Sequence, residues 1–482
     1  MQTSEYLKTQ RKYKHFDHFV TDINFLDSVK SDSKVITSFR FLPFIQKDII
    51  SNKFNGKSIQ EKKRKITLPS HHAAAIYKLY SEQLNHVYEQ KIKDTPVSSA
   101  ATAYRSSTME IKRSNIHAAK EVFDFISNQQ SAYVIKGDFK AFFDTLNHKY
   151  LKKRLIDVLS SEPLTIHADS LTTNTLPKDW YAIFNSLTKY QYISTTDLED
   201  SISYKKNNSQ YSYFNCRKDF DNFYKKNKKK FHTNRIGIPQ GTSLSALLAN
   251  IYMMKFDLKI CLLIEKLGGL YRRYSDDFII VLPGKSVSQN QAEKILEQII
   301  IISEQDLFLT IERHKTNFYK FENHSFQKIS NSISQQQTTL NYLGFRFTGH
   351  SVYLREKSIY KFAYRSKHGI KFLIRDLENK KLIPLLDEDS ELTNKKIRQI
   401  QLVKKKLDNN MKFQVSNRLK QRYLSGSNLK RTFLGYANLA QNILEHNQEN
   451  YEVLILKQAR RRVIKNQREY HKQILEMENN LY

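Results

Sequence analysis

Two β-prone segments that carry aspartates at their ends constrain the fold of this chain more than any other feature. The first, YVIKGDF (residues 133–139), is short and bounded by polar residues, and it predicts a strand that ends near Phe139. The second, LYRRYSDDFIIVLPG (270–284), predicts a β-hairpin with Asp276 and Asp277 at its tip. If the strand and the hairpin are neighbours in one sheet, Asp138 meets the two hairpin aspartates from a distant part of the chain.

Three carboxylates at one end of a sheet repel one another, and the repulsion raises their pKa values unless divalent cations occupy the cluster. Mg²⁺ is the natural complement, because it prefers oxygen ligands and shares its coordination shell with substrate phosphates. Two such ions would activate an attacking hydroxyl and stabilise the leaving oxygen of a displacement at phosphorus. Taken alone, each motif is also compatible with an ordinary strand-end turn or a solvated hairpin tip.

Most of the first 130 residues are predicted to be helical, with the basic run 62–65 leading into a helix whose apolar stripe lies at 76–84. Residues 160–235 give the weakest pattern. They contain one predicted helix around Trp180, and the lysine-rich run 225–230 is interpreted as a surface loop.

Order returns at IGIPQGTS (236–243), which precedes a helix with apolar residues at 247, 251, 254 and 258. A second hairpin is predicted at 340–354, with its turn at 348–350. Beyond it the pattern is helical to the end, apart from the acidic, proline-containing stretch 384–391.

The charge of the chain favours a polyanionic partner. Lys and Arg total 79 against 48 Asp and Glu, a formal net charge of +31. Residues 351–482 hold 28 basic and 14 acidic residues, so the C-terminal part is the more basic per residue. Lys and Arg that neutralise phosphates release counterions, which favours nucleic-acid binding, although a solvated charged surface is the simpler interpretation.

The expected compartment is the cytoplasm. Cys216 and Cys261 cannot build a disulfide framework, and the charged N-terminus and short apolar stretches predict neither secretion nor a membrane span. His71 and His72 have no third ligand at a matching spacing, so they are interpreted as surface residues.

Five signatures, in sequence order, resemble those of the reverse transcriptase family of right-hand polymerases. They are GDFKAFFD (137–144), IPQGTS (238–243), YSDD (274–277), KT (315–316) and YLGF (342–345). They are similar to the first palm motif, the Pro-Gln-Gly motif, the Tyr-x-Asp-Asp signature, a basic motif and the primer-grip hairpin. Weak motifs rarely align in order by accident, so the set indicates a shared catalytic module over about residues 130–350.

The resemblance implies an α+β right-hand fold whose palm is an RRM-like antiparallel sheet with helices. It implies an N-terminal helical region and fingers at 1–130 and a palm at 131–350 with a fingers insertion at about 160–235. A mostly helical, basic, thumb-like module follows at 351–482.

The resemblance also implies catalytic roles. Asp138 and Asp276 would be the principal ligands of two Mg²⁺ ions, with Asp277 beside them and the Phe139 backbone carbonyl completing one shell. Lys315 would protonate the departing pyrophosphate. The alternative for Lys315 is a surface lysine at the end of a strand.

Further residues would bind the nucleotide. Phe143 would lie under the incoming sugar and exclude a 2′-hydroxyl, so that deoxynucleotides are preferred. Gln240 and Gly241 would lie under the nascent base pair, with glycine allowing close backbone approach. Arg105 would clamp the triphosphate through its guanidinium, and Lys65 is a second candidate for that role.

The branch most resembled is that of the bacterial defence-associated or abortive-infection reverse transcriptases, which are related to group II intron and retron enzymes. An RNase H domain, a Cys- and His-bearing endonuclease module and the retron signatures are not found in the sequence. FLGYA (433–437) resembles the thumb-end motif of the bacterial group II-like enzymes.

The implied function is RNA-directed DNA synthesis from dNTPs in antiphage defence, on a dedicated structured noncoding RNA. The implied partners are that RNA, a DNA primer or product, and either a second copy of the chain or a partner defence protein, with no membrane. One alternative is a template-independent or protein-primed DNA polymerase. Others are an RNA-dependent RNA polymerase, which Phe143 disfavours, and a non-catalytic maturase-like RNA-binding protein, which would be expected to lose the carboxylates.

Overall fold

The computed structural model describes ten stretches of the chain: 13–17, 23–54, 59–105, 114–160, 162–165, 175–202, 211–329, 336–377, 420–426 and 432–479. The predicted interruption at 384–391 lies outside them. The chain divides into two compact units, Met1–Arg113 with Val134–Asn317, and Ser114–Tyr133 with Phe318–Tyr482. These boundaries differ from the three predicted domains, because Ser114–Tyr133 belongs with the C-terminal residues.

The architecture is mixed α+β, as predicted. In the described residues the α-helices are α1 (Ile23–Ser31), α2 (Ser33–Ser38), α3 (His71–Ile92), α4 (Val97–Ala100), α5 (Asn115–Ser127), α6 (Phe142–Thr145), α7 (His148–Leu159), α8 (Lys178–Thr188), α9 (Thr195–Glu199), α10 (Arg217–Lys226), α11 (Ser243–Glu265), α12 (Gln289–Leu307), α13 (Glu356–Leu377), α14 (Phe433–Glu445) and α15 (Ile455–Asn479). The strands are β1 (Phe44–Phe54), β2 (Ile59–Leu68), β3 (Ser131–Asp138), β4 (Gln191–Ser194), β5 (His232–Thr233), β6 (Leu270–Tyr274), β7 (Asp277–Pro283), β8 (Asn317–Glu322), β9 (Ser325–Ile329), β10 (Gln336–Thr338), β11 (Leu340–Tyr342), β12 (Phe345–Phe347), β13 (Ser351–Leu354) and β14 (Glu452–Val453).

The first unit contains most of β3 and all of β6 and β7, the strands beside the predicted aspartates. Within it β7 lies between β3 and β6, and β6 and β7 form the predicted antiparallel hairpin. Helix α11 begins directly after the Pro-Gln-Gly segment, and Thr242 caps it by accepting a hydrogen bond from the Ser245 backbone amide. The predicted apolar stripe at 247, 251, 254 and 258 is buried, so this helix forms the core beside the hairpin.

A second sheet of the first unit corrects the prediction of a mostly helical N-terminal region. Strands β1 and β2 form a long antiparallel hairpin, in the sheet order β2-β1-β4-β5, and the basic run 62–65 lies in β2 rather than before a helix. Lys and Glu favour helices by local propensity, but cross-strand pairing overrides that preference. Asp48 lies opposite Lys65 in the ladder, an arrangement that stabilises a sheet.

The stretch 160–235 is partly helical where it is described. The helix predicted around Trp180 is α8. The lysine run 225–230, predicted as a surface loop, instead ends α10 and continues into a short 3₁₀ turn at Lys228–Lys230. The aromatic residues of α10 explain the correction, because Phe220 is buried in a cluster with residues of β1 and β4.

The second unit contains β9 paired with β8 and β10, and a separate sheet in the order β11-β12-β13-β14. The hairpin predicted at 340–354 is confirmed as β11, β12 and β13, with a turn that requires glycine at position 349. Gly349 has a φ of +101°, and a Cβ there would lie 2.0 Å from the His324 carbonyl oxygen. Helix α5 joins this unit through the Asp124 carboxylate, which accepts a 2.6 Å hydrogen bond from the Tyr451 hydroxyl.

In the part of the chain that the structure describes, no helix combines the length and the apolar character needed to span a bilayer. Cys216 is exposed and Cys261 is buried, and both are free thiols. His71, predicted to be a surface residue, is instead fully buried and hydrogen-bonds Asp17 and the Tyr13 carbonyl oxygen. The prediction was wrong because the N-terminal segment that covers His71 is distant in sequence.

Candidate active site

The turn between β6 and β7 brings the predicted carboxylates together. Tyr274 pairs with Asp277, so Ser275 and Asp276 form a two-residue turn, in which Ser275 has a left-handed φ of +62°. Strand β3 ends beside this turn, and the Phe139 amide donates a 3.1 Å hydrogen bond to the Asp276 carbonyl oxygen. Asp138, at the end of β3, therefore lies next to the hairpin tip.

The environment of Asp138 disfavours its ionised form. Burial is the largest cause that raises the pKa of its carboxyl, and the charges of Glu312 and Asp276 raise it further. The ammonium of Lys315 opposes this shift. Burial and the neighbouring carboxylates thus make the ionised form of Asp138 costly, and a bound cation would offset that cost.

The donor set at the turn fits Mg²⁺, because it consists of hard carboxylate oxygens. Among the described residues, no three His, Cys, Asp or Glu side chains are arranged to hold a metal ion by themselves. Mg²⁺ commonly binds through one or two carboxylates and takes its other oxygens from water and substrate phosphates. The fit therefore requires a bound nucleotide, and not a complete protein cage.

Lys315 and Glu312 form the third side of the site. The Lys315 Nζ atom lies 3.7 Å from Asp138 Oδ2 and also contacts the Glu312 carboxylate. The Glu312 amide donates a 3.1 Å hydrogen bond to the Asp138 carbonyl oxygen, which fixes this segment to the end of β3. The hydrogen bond to Glu312 is the largest cause that raises the pKa of Lys315, so its ammonium keeps its proton. Sequence reasoning found Lys315 and missed Glu312, although the three-residue spacing was visible.

A buried ion pair holds the turn from behind. Arg273 and Asp257 are both 0% exposed, and Arg273 Nη2 lies 2.6 Å from Asp257 Oδ2. The same guanidinium donates to Asn250 Oδ1 at 3.2 Å and to the Ser275 carbonyl oxygen at 2.9 Å. The Tyr271 hydroxyl donates a 2.8 Å hydrogen bond to Asp257. This network was not predicted. Its one signal in the sequence is the charged Arg273, which lies within a strand that is mostly buried.

The segment after α4 flanks the other side of the turn. The Thr102 amide and hydroxyl each donate a 2.9 Å hydrogen bond to the Arg273 carbonyl oxygen. Asn250 Nδ2 donates at 2.8 Å to the Ala103 carbonyl oxygen, and the Ser275 hydroxyl lies 3.2 Å from the Tyr104 hydroxyl. The turn is therefore fixed through its backbone on both sides.

Phe143 is attached to the segment that contains the Pro-Gln-Gly motif. Its carbonyl oxygen accepts a 2.8 Å hydrogen bond from the Ile238 amide. Gly237, with a φ of +73°, approaches so closely that a Cβ would lie 2.6 Å from the same oxygen. The Phe143 backbone is thus bonded to the Pro-Gln-Gly segment, and its side chain is partly exposed.

Gln240 and Gly241 lie against β2. The Thr67 amide donates a 2.8 Å hydrogen bond to the Gln240 carbonyl oxygen, and a Cβ at Gly241 would lie 2.7 Å from the Thr67 carbonyl oxygen. The nearby Lys65 is exposed on β2, and its charge lowers the pKa of Asp144, which burial raises overall. The structure therefore brings Lys65, Gln240 and Gly241 to one surface.

Arg105, predicted to clamp the triphosphate, is bonded to protein acceptors in the structure. Its side chain is 0% exposed, and Nε and Nη2 donate to the Glu89 carboxylate at 2.7 and 2.5 Å. The remaining nitrogen, Nη1, donates to the carbonyl oxygens of Ser98 and Ala101. The donors of Arg105 thus join α3 to α4 and to the residue that follows α4.

Comparison with protein families gives one match. Residues 167–347 match the family model described as reverse transcriptase (RNA-dependent DNA polymerase). The match includes Gln240, Gly241, Asp276, Asp277 and Lys315. Asp138 and Phe143 precede it. Among curated proteins, none matches this chain significantly.

The solved structures most similar to the chain include yeast telomerases. The telomerase of Candida albicans, in complex with a TWJ fragment of telomeric RNA, is 13% identical with a TM-score of 0.40 over 86% of this chain and 59% of that one. The apo telomerase of Candida tropicalis truncated from the C-terminal domain is 14% identical with a TM-score of 0.37, over 63% of this chain and 53% of that one. The chain thus spans less than two thirds of the length of these two telomerases.

Proposed function

We propose that this chain, which carries a reverse transcriptase domain at residues 167–347, is an RNA-directed DNA polymerase. The observation that supports the proposal most strongly is the meeting of Asp138 with the Asp276 turn, beside Lys315. The reaction is attack of a primer 3′-hydroxyl on the α-phosphate of a bound dNTP, with pyrophosphate as the leaving group. Positioning and electrostatic stabilisation account for most of the catalysis of such transfers.

The side chains of the site would divide the work as follows. Asp138, Asp276 and Asp277, with the Phe139 carbonyl, would hold two Mg²⁺ ions, which supply charge neutralisation at the attacking and leaving oxygens. Lys315 holds a proton at Nζ, where the hydrogen bond to Glu312 favours the ammonium, and this ammonium would hydrogen-bond to the departing pyrophosphate oxygen and stabilise its negative charge.

Selection and binding of the nucleotide would depend on the surface formed by β2 and the Pro-Gln-Gly segment. The ring of Phe143 would exclude a ribose 2′-hydroxyl, since its backbone is fixed by Ile238 and cannot withdraw. Gly241 would allow the nascent base pair to approach the backbone. The exposed ammonium of Lys65 would attract the triphosphate.

The biological setting belongs to the same proposal. The template would be a dedicated structured noncoding RNA, and the synthesis would serve antiphage defence in the cytoplasm of a bacterium. The formal charge of +31 supports binding of a large RNA, because counterion release favours such complexes. A second copy of the chain, or a partner defence protein, would complete the system.

The test is sequencing of the nucleic acid that copurifies with the full chain, and of the DNA made from it with Mg²⁺ and four dNTPs. The expected product is DNA complementary to one copurified RNA. Product without a template, or label that stays attached to the protein after denaturation, would instead favour the untemplated or protein-primed alternative.

Variants assign the chemistry to the turn. Asp276→Asn and Asp277→Asn are expected to abolish incorporation, whereas the matched control Asp306→Asn should retain it, because Asp306 is 49% exposed and pairs with Lys259 away from the turn. Full incorporation by either turn variant would contradict the assignment.

A further inference from the structure

Helix α13 of the second unit exposes a row of aromatic side chains. Tyr360, Tyr364, His368 and Phe372 follow one another at intervals of four residues, which places them along one face of the helix. Tyr360 is 71%, Tyr364 64% and Phe372 71% exposed, and His368 is also exposed. We call these four residues the aromatic row.

The aromatic row is not the face that packs into the protein. The residues that α13 buries are Phe362, Ser366 and Ile370, which repeat with the same spacing but are displaced by two positions, about 200° around the helix. The helix thus packs by one face and presents rings to solvent on the other. Large exposed apolar surfaces of this kind mark interaction sites.

Helix α15 carries a row of basic residues, which lies beside Tyr360, the first ring of the aromatic row. Lys457, Arg461 and Lys465 are exposed and also recur every four residues. The two helices lie side by side within the unit, since Tyr360 lines a groove with these residues and, further along, Lys367 pairs with Glu469 at 3.7 Å.

The groove that Tyr360 shares with the basic row is strongly positive. It has a volume of about 440 Å³ and is lined by five basic residues and one acid. That acid, Glu356, is neutralised by Arg346 at 2.7 Å. Within the described residues, Lys457, Arg461 and Lys465 have no acidic partner, so their charges are available to an anion.

Rings beside cations match the chemistry of an unpaired polynucleotide, whose bases stack on aromatic side chains while its phosphates meet Lys and Arg. The repeat of both rows favours a single strand over a duplex. Residues four apart are about 6 Å apart along a helix, nearly twice the ~3.4 Å between stacked bases of a duplex strand. Bases can reach such rings only when they are unstacked from one another.

We propose that the aromatic row and the basic row form a binding site for the unpaired part of the RNA template. This inference rests on the proposed function in one respect: in templated synthesis the new DNA is paired, so the strand left unpaired is the RNA. The rings of Tyr360 and Tyr364 stack on its bases. Lys457, Arg461 and Lys465 bind its phosphates.

The experiment measures binding of the full chain to fluorescein-labelled oligonucleotides by anisotropy. The probes are a 20-nucleotide unstructured RNA, the same sequence as DNA, and a blunt RNA duplex. Every protein carries Asp276→Asn, so that binding is measured without synthesis. The double variant Tyr360→Ala with Tyr364→Ala should bind the single-stranded RNA roughly 10- to 100-fold more weakly than the parent protein. The double variant Tyr360→Phe with Tyr364→Phe keeps both rings and should bind nearly normally.

The basic row has its own control. Arg461→Glu should weaken RNA binding and reduce the slope of log affinity against log salt concentration by about 0.7 or more. Arg460→Glu is the matched control, because Arg460 is an exposed neighbour on the same helix that does not line the groove. Its smaller effect measures the loss of general attraction.

Several results would overturn the proposal: unchanged RNA binding by the alanine variant, tighter binding of the duplex, or tighter binding of the DNA. A change from oligomer to monomer in the alanine variant, by light scattering, would show that the row is an interface between copies. The proposed function is tested separately, by incorporation of dNTPs by the unsubstituted chain on a short primed RNA template. Absence of incorporation by that chain would contradict the proposed function, whereas unchanged RNA binding by the alanine variant would contradict only the site on α13 and α15.

Discussion

The substitution Asp257→Asn tests how the active-site turn is held. It leaves the guanidinium of Arg273, which is 0% exposed, without its counter-ion. Breaking a buried ion pair in this way costs about 3–5 kcal/mol of unfolding free energy. The pair of Arg313 with Glu297 offers a matched control, because its N–O distance is 2.7 Å against 2.6 Å but its side chains are 60% and 54% exposed. Exposed pairs contribute about 0–1 kcal/mol, so Glu297→Gln should change little.

The assay is equilibrium unfolding in urea at pH 7, followed by far-UV circular dichroism. We expect Asp257→Asn to lower the unfolding free energy by at least about 2 kcal/mol more than Glu297→Gln does. Equal shifts for the two variants would refute the reasoning, because burial would then not decide the contribution of the pair.

Arg273→Lys separates the position of the turn from the stability of the protein. A lysine keeps the charge opposite Asp257, but one ammonium cannot reproduce the planar fork that also reaches Asn250 and the Ser275 carbonyl oxygen. A hydrogen bond from a charged donor contributes ~1.5–3 kcal/mol, so kcat should fall by roughly 10-fold or more. The KM for dNTP should change less, and a wild-type kcat would mean that the turn does not need this donor.

Three further predictions concern the residues to which the proposed function gives a role at the substrate. Phe143→Ala should lower the preference for dNTPs over ribonucleotides by about 10-fold or more, measured as a ratio of kcat/KM values; an unchanged ratio contradicts the steric gate. Lys315→Ala should lower kcat by about 10²-fold or more, whereas Glu312→Gln should move the alkaline limb of the kcat profile to lower pH, because its hydrogen bond is the main cause of the raised Lys315 pKa. Asp138→Asn should abolish incorporation yet raise the unfolding midpoint at pH 7 without metal. Folding raises the pKa of the Asp138 carboxyl, so the native state binds its proton more tightly than the unfolded state does. The wild-type protein therefore loses stability as the pH rises and Asp138 ionises, and the Asn variant does not. This gain should disappear below the ordinary carboxyl pKa of 3.8, and a gain that persists there would contradict its electrostatic origin.

The parts of the fold that were predictable have local signals. The hairpin at Asp276 is encoded by two β-prone runs around a polar turn, and α11 by its apolar spacing after the Pro-Gln-Gly segment. The adjacency of Asp138 and Asp276 was predictable only because the end of the first strand and the tip of the hairpin both carry carboxylates. These features need no knowledge of distant partners beyond that one pairing.

The parts that were missed depend on partners far away in sequence. The lysines of β2 have no local preference for a strand, and their segment forms one because it pairs with β1. The guanidinium of Arg105 and its position in the sequence suit phosphate binding, but only the fold shows that this guanidinium pairs with Glu89. His71 is buried by the segment at Tyr13. In each case the sequence shows which side chain is present, but it does not show the distant residue that this side chain or its strand contacts.

The location of Arg273 shows how the turn can be held in place while its carboxylate oxygens stay available. Asp138 and Asp276 repel each other, so the turn must be held against its own charge when no cation is bound. A guanidinium paired with these carboxylates would hold them, but it would occupy the oxygens that bind ions. Arg273 instead donates to the backbone at Ser275 and takes its counter-ion from Asp257. The positive charge therefore fixes the turn and leaves the Asp276 carboxylate available to the metal ion that we propose, which accounts for the burial of the arginine behind the turn and not beside it.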